Sequence, residues 1–470
     1  MCEAVGQKLD QVWLAGSGEL PISICATNSN RAATMLKNKF DPAPRSYAPF
    51  VYIQDRSRRG PACAPVEQSV AKIIDWLLHE ASRIENVLYM FEEFLWRCRA
   101  AGIPVDRSSL HIGTLHPRII GFSWVWNSND EFCDEVVAEA GAMTAPSFTR
   151  NPLARVMETG QTLQVDLRTA EGRAAFPLMQ ELADEGYTEY AILPLTTAGD
   201  RHNAITFATR HPDGFPETIA EDTRMLMDIL ALHVERHILQ RIAQNVVDTY
   251  LGPSAGARVL SGEIRRGDGE AIDAVVWMSD LRGFTTLSDR LEGPQVSAVL
   301  NTYFEIVSDA VLDHGGDILK FIGDGILAVF PTASTNGAGA GERALAAARS
   351  AIARLEDVNA NPTPELAEIA CWAPLKMGIG LHEGEVFFGN VGGESRLDFT
   401  VIGRAVNETS RVEALCKELK RPLLFTEPVY RSLTPSQRSE IELMGSYKLR
   451  GVEKDMPIYA VGSGKESAAA

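Results

Sequence analysis

Two apolar runs that each deliver an aspartate to a turn constrain this 470-residue chain more than any other feature. The first is Val275-Val276-Trp277-Met278, followed by Ser279 and Asp280. The second is the pair Ile318–Ile322 and Ile326–Phe330, joined through the corner Gly323-Asp324-Gly325. An Asp-Gly corner between apolar runs predicts a β-hairpin. The stretch between them, Gln295 to His314, carries the apolar spacing of a helix. Two carboxylates at adjacent strand ends suit hard divalent cations, which take one or two carboxylates and share their other positions with phosphate oxygens and water. The pattern predicts a two-metal phosphoryl-transfer site.

The composition is compatible with such a site in a soluble multi-domain protein. Hydrophobic residues make up 45% and charged residues 23%. No apolar run has the length of a membrane span, and the N-terminus lacks a basic-then-apolar leader, so a cytoplasmic protein is expected. A net charge of −17 argues against nucleic acid or an anionic membrane as partner and requires local cations to hold any polyphosphate. The seven cysteines, at 2, 25, 63, 98, 133, 371 and 416, are scattered without a C-x-x-C pair and read as reduced thiols.

Residues 1–66, rich in Pro, Arg and Ser around Arg56, Arg58 and Arg59, predict a poorly ordered segment. From Val70 to Cys98, apolar residues at alternating steps of four and three predict one helix whose seam packs in a bundle or in a parallel dimer. Residues 103–209 alternate short strands (SLHIGTLHP, IIGFSWVW, AILPLTT, NAITFATRH) with helices (LARVMETG, FPLMQELADEG). Phe122, Trp124 and Trp126 either line a small-ligand pocket or form ordinary core. His111 and His116 lack ligand-spaced partners and read as structural. A second helical pattern runs from Asp222 to Leu251 and stops at Gly252-Pro253.

Four pieces in order, MSDLRGFT, LKFIGDGILAVF, GIGLHEGEVFFGNVG and DFTVIGRAVNETSR, resemble the catalytic domain of class III nucleotidyl cyclases. The strand and helix order of residues 67–240 resembles a sensory module of the GAF type. The resemblance implies an α+β architecture: a ferredoxin-like (palm-like) catalytic domain over 271–463, a helix plus GAF-like domain over 67–240, a connecting helix and linker over 241–270, and a tail over 464–470.

It also implies site roles. Asp280, Asp324 and the backbone of Leu281 would hold two Mg²⁺ or Mn²⁺ ions. Gly283, Phe284 and Thr285 would present N–H groups to phosphate, and Asn407 and Arg411, four apart on one helix face, would act on ribose and on phosphates gaining charge. Arg450 would contact the terminal phosphates. Lys320 and Thr400 occupy the two purine-reading places. Lysine only donates and so suits the N1 acceptor of adenine, whereas Thr400 departs from the Asp of many adenylyl members and discriminates less firmly. The expected activity is conversion of ATP to cyclic AMP by a homodimer, assembled through the catalytic domain and helices 70–98 and 222–251, with an unknown small ligand at the regulatory module. The alternatives are a guanylate cyclase, which Lys320 opposes, and a silent nucleotide-binding dimerisation protein, which the filled site positions oppose. A diguanylate cyclase would need a GG[DE]EF hairpin where FIGDG stands.

Overall fold

The structure, a computed structural model, describes residues 43–144, 151–195, 203–216, 223–333, 338–369, 373–452 and 454–462. The expectations for residues 1–42 and for the tail 464–470 lie outside the described residues, as do Cys2, Cys25 and Cys371. Two compact units divide at Asn245/Val246, within the Arg224–Leu251 helix.

The first unit is built on seven antiparallel strands: β1 (Val51–Ser57), β2 (Arg107–Gly113), β3 (Ile119–Asn127), β4 (Cys133–Glu139), β5 (Leu163–Asp166), β6 (Glu189–Leu195) and β7 (Asn203–Thr209), in the order β1-β4-β3-β2-β7-β6-β5. Strand alternation puts Phe122, Trp124 and Trp126 on one face, where they are buried with Leu77, Phe91, Leu95, Leu226 and Leu230. Those aromatics are part of the core of this unit. The opposite face covers Tyr190, Ile192 and Ala204 with Leu153, Val156 and Met179.

Two expectations are corrected here. The Val70–Cys98 stretch is not one helix. It forms Val70–His79, capped by Ser69, and Val87–Ala100, capped by Asn86, with a tight turn at Ala81–Arg83 between them. Asn86 Oδ1 accepts from Leu88 N at 2.8 Å, so the side chain restarts the helix in place of continuing it. The seam residues Leu77, Leu88, Phe91 and Leu95 are fully buried inside this unit, so the seam packs within the unit and is not itself a dimer face. Nor is the chain weakly ordered from residue 43 to 66. Arg45 and Arg56 both pair with the fully buried carboxylate of Asp134, at 3.1 and 2.5 Å, and lock β1 onto β4. Arg59 pairs with Glu93 at 3.0 Å.

The second unit holds β8 (Gly269–Leu281), β9 (Asp317–Ile322), β10 (Gly325–Pro331), β11 (Met377–Gly392), β12 (Leu397–Ile402), β13 (Leu423–Thr426), β14 (Ile441–Tyr447) and β15 (Met456–Val461). Their order is β14-β15-β13-β11-β8-β10-β9, with β12 also paired to β11. On one face Val275, Trp277, Phe330 and Ile379 pack against the Gly293–Asp313 and Ala340–Ala360 helices. On the other, Val276, Val329 and Val386 meet Ala405 at the start of the Arg404–Leu419 helix. β11 runs unbroken past Gly384, which continues the ladder opposite Ala274. Glycine at 380 is dictated by that helix, since a Cβ there would sit 2.5 Å from Glu413 N. Among the described residues no helix is long and apolar enough to cross a membrane.

Candidate active site

β8 lies at the centre of the sheet and ends at Leu281, so Asp280 emerges at the rim. The neighbouring β9–β10 corner turns on Gly323, whose φ of 64° is the left-handed geometry that glycine adopts freely. Register then sets Gly325 opposite Asp280, which places Asp324 beside it. The two carboxyl groups come within hydrogen-bonding reach. Burial, then Asp324, then Glu413 push the Asp280 carboxyl up to about 7, and the Arg282 guanidinium only partly offsets them. The cluster is short of positive charge and rich in hard oxygen donors, which is the fit a divalent cation requires.

The surrounding groups fix this rim. Tyr303 donates to Ser279 Oγ at 3.0 Å beneath the acidic pair. Leu281 N donates to Asp280 Oδ1 at 3.1 Å, which orients the carboxylate. Gly283 is exposed at φ 77° and starts the short Phe284–Ser288 helix, with Phe284 packed on the core and Thr285 exposed. Arg282 lies 2.7 Å from Glu413 Oε1. Sequence reading missed Arg282, although MSDLRGFT contains it, and missed Glu413, whose helical spacing marks it only as inward-facing.

The other expected residues are placed as follows. Lys320 on β9 pairs with Asp398 on β12. Thr400, two residues further along β12, is buried, and its Oγ1 has no hydrogen-bond partner. Asn407 and Arg411 are exposed on the Arg404–Leu419 helix, whose inner face buries Glu408, Thr409, Val412 and Glu413. Arg282 is the guanidinium that acts on Asp280 to offset its burial and acidic neighbours. Arg450 is exposed on the turn between β14 and β15. One chain therefore brings Asp280 and Asp324 together beside Leu281 and the 283–285 turn, while Asn407, Arg411 and Arg450 are exposed on the same unit.

Residues 270–463 match the family described as the adenylate and guanylate cyclase catalytic domain. An adenylate cyclase of Anabaena cylindrica is 35% identical over 183 residues, which is 39% of this chain and 35% of that protein. The terminal-differentiation-specific adenylate cyclase of Dictyostelium discoideum is 30% identical over 200 residues, 42% of this chain and 9% of that protein. The chain thus spans 35% and 9% of the lengths of these two relatives. The crystal structure of the adenylyl cyclase CyaB from P. aeruginosa aligns at 29% identity and a TM-score of 0.35, covering 43% of this chain and 98% of that one. Residues 270–463 are accordingly a class III adenylate/guanylate cyclase catalytic domain.

Proposed function

We propose that this chain is an adenylate cyclase that converts ATP to 3′,5′-cyclic AMP and diphosphate as a homodimer with two composite sites. The observation that carries the reading is the paired, charge-deficient carboxyl groups of Asp280 and Asp324 at the rim of a cyclase-type sheet. Asp280, Asp324 and the Leu281 backbone would hold Mg²⁺ or Mn²⁺, which supplies activation of the ribose 3′-hydroxyl and neutralisation of the triphosphate.

The protein's own groups position the substrate. Asn407 orients the ribose, and Arg411 donates to phosphate oxygens that gain charge as the leaving diphosphate departs. Gly283, Phe284 and Thr285 offer backbone N–H groups to phosphate. Arg450 lies on the same unit as a contact for the terminal phosphates. Lys320 donates to adenine N1, and the unpartnered Thr400 hydroxyl accepts from the N6 amine.

A second copy completes the site in this reading, and the exposure of Asn407 and Arg411 on their helix leaves them open to a partner's acidic pair. The connecting helix supports the same stoichiometry. Met225, Leu232 and Leu239 recur at heptad intervals and are 60%, 65% and 61% exposed, an apolar seam that fits another copy of itself. The antiparallel sheet of the first unit, with helices on its faces, supports a GAF-like regulatory role for residues 67–240. That two relatives are named adenylate cyclases supports ATP as the substrate in this reading.

The test is incubation of the purified chain with ATP or GTP and Mg²⁺ or Mn²⁺, followed by product separation. Cyclic AMP from ATP is expected, with loss on chelation and recovery on adding either metal. Cyclic GMP without cyclic AMP overturns the base assignment, and a folded, metal-supplied protein with no product overturns the enzyme.

A further inference from the structure

Lys320 reaches outside its own hairpin. Its Nζ donates to Asp398 Oδ2, although Lys320 lies on β9, which pairs with β10, and Asp398 on β12, which pairs with β11. The lysine side chain is 28% exposed and the aspartate 58%, an exposure at which an ion pair contributes little to stability. Side chains alternate along a strand, so Asp398 and Thr400 share one face of β12. That face therefore carries a carboxylate engaged with the lysine and, beside it, a buried hydroxyl without a partner.

We infer that Asp398 is a specificity-determining positioning residue that holds the Lys320 ammonium against the purine edge. This rests on the reading of Lys320 as the group that meets the base. An unrestrained lysine has a flexible four-carbon stem that must be ordered each time a base binds. Asp398 orders it beforehand and takes one of its three N–H groups, leaving the others for the N1 acceptor of adenine. Guanine carries hydrogen at N1 and meets a donor there instead of an acceptor. A lysine released from Asp398 can swing to the guanine O6 acceptor, so the restraint, and not the lysine alone, separates the two bases.

The experiment measures initial rates of the full chain with ATP and with GTP for wild type, Asp398→Ala, Asp398→Asn, Asp398→Glu and Lys320→Ala, with urea midpoints recorded for each. Asp398→Ala is expected to raise KM for ATP about tenfold with kcat within about threefold, and to lower the ATP-to-GTP ratio of kcat/KM about tenfold. Asp398→Asn should fall between it and wild type, and Asp398→Glu should recover most of the ratio. An unchanged KM and ratio in Asp398→Ala overturns the inference and leaves a surface ion pair. A parallel fall in kcat for both nucleotides with a lowered urea midpoint overturns it in favour of a structural role. Lys320→Ala separates the two levels: if it shifts the ratio while Asp398→Ala does not, only the role of Asp398 fails, and if it leaves the ratio unchanged, base reading by Lys320 fails with it.

Discussion

Arg282 Nη2 donates to the Glu413 carbonyl at 3.0 Å and lies 2.7 Å from Glu413 Oε1, tying the turn after Asp280 to the helix that carries Asn407 and Arg411. Arg282 thus meets both the backbone and the carboxylate of Glu413. Burial holds the Glu413 carboxyl above its usual range, Asp324 adds to that, and Arg282 partly offsets it. Arg282→Ala should therefore destabilise the protein by about 3 kcal/mol, because it strands a largely buried negative charge. Urea titration checks this. Adding Glu413→Gln should return at least about 1 kcal/mol of the loss, and a strictly additive pair would show that the two residues are not coupled.

Composite sites predict complementation. Asp280→Ala and Arg411→Ala alone should each fall below about 1% of wild-type activity. Mixed in equal amounts and allowed to exchange subunits, they should recover about a quarter, since half the dimers are then mixed and each mixed dimer has one intact site of two. No recovery after verified exchange rejects the cross-subunit arrangement.

The apolar seam of the connecting helix predicts its own defect. Leu232→Glu with Leu239→Glu places charges at two exposed heptad positions, where no contact of the chain's own core is lost. Sedimentation should report a dimer dissociation constant raised at least about tenfold, with the circular dichroism of the chain retained. An unshifted constant would show that another surface holds the copies together.

His111 predicts a pH dependence in the first unit. Ser109 Oγ and Ser123 Oγ flank its two ring nitrogens at 2.7 Å each. Burial, reinforced by the Arg107 charge, pushes the imidazole down to about 4. Below about 6.5 the unfolded chain binds a proton that the folded chain refuses, so stability is complete above that pH and falls as the pH drops towards 4. The loss attributable to this group is about 3 kcal/mol at the acid end. His111→Gln should show a shallower decline of urea midpoint between pH 7 and 4.5 than wild type, and equal slopes would remove His111 as the cause.

The catalytic half was legible because its signals are local. Asp280 sits at the end of an apolar run, and the Gly323-Asp324-Gly325 corner encodes its own hairpin, so both aspartates are placed by residues within a few positions of them. The inward face of the Arg404–Leu419 helix followed from periodicity, which left Asn407 and Arg411 outward. The first unit was harder to read. β1 and β4 were missed because β4 buries Asp134 and Glu135, which look like surface residues until Arg45, Arg56 and Arg241 arrive from distant parts of the chain. The break between the Val70–His79 and Val87–Ala100 helices was hidden by a seam that keeps its spacing through the turn.

By itself, then, the order of residues determined which strands turn where and which carboxylates and amides the catalytic domain presents, since backbone pairing and side-chain period act over a few residues. Only the tertiary structure decided that Lys320 is held by Asp398, that Arg282 anchors Glu413, and that the 70–98 seam is spent inside its own unit. Charge pairing and burial depend on distance in space, and residues far apart along the chain acquire that distance only when it folds.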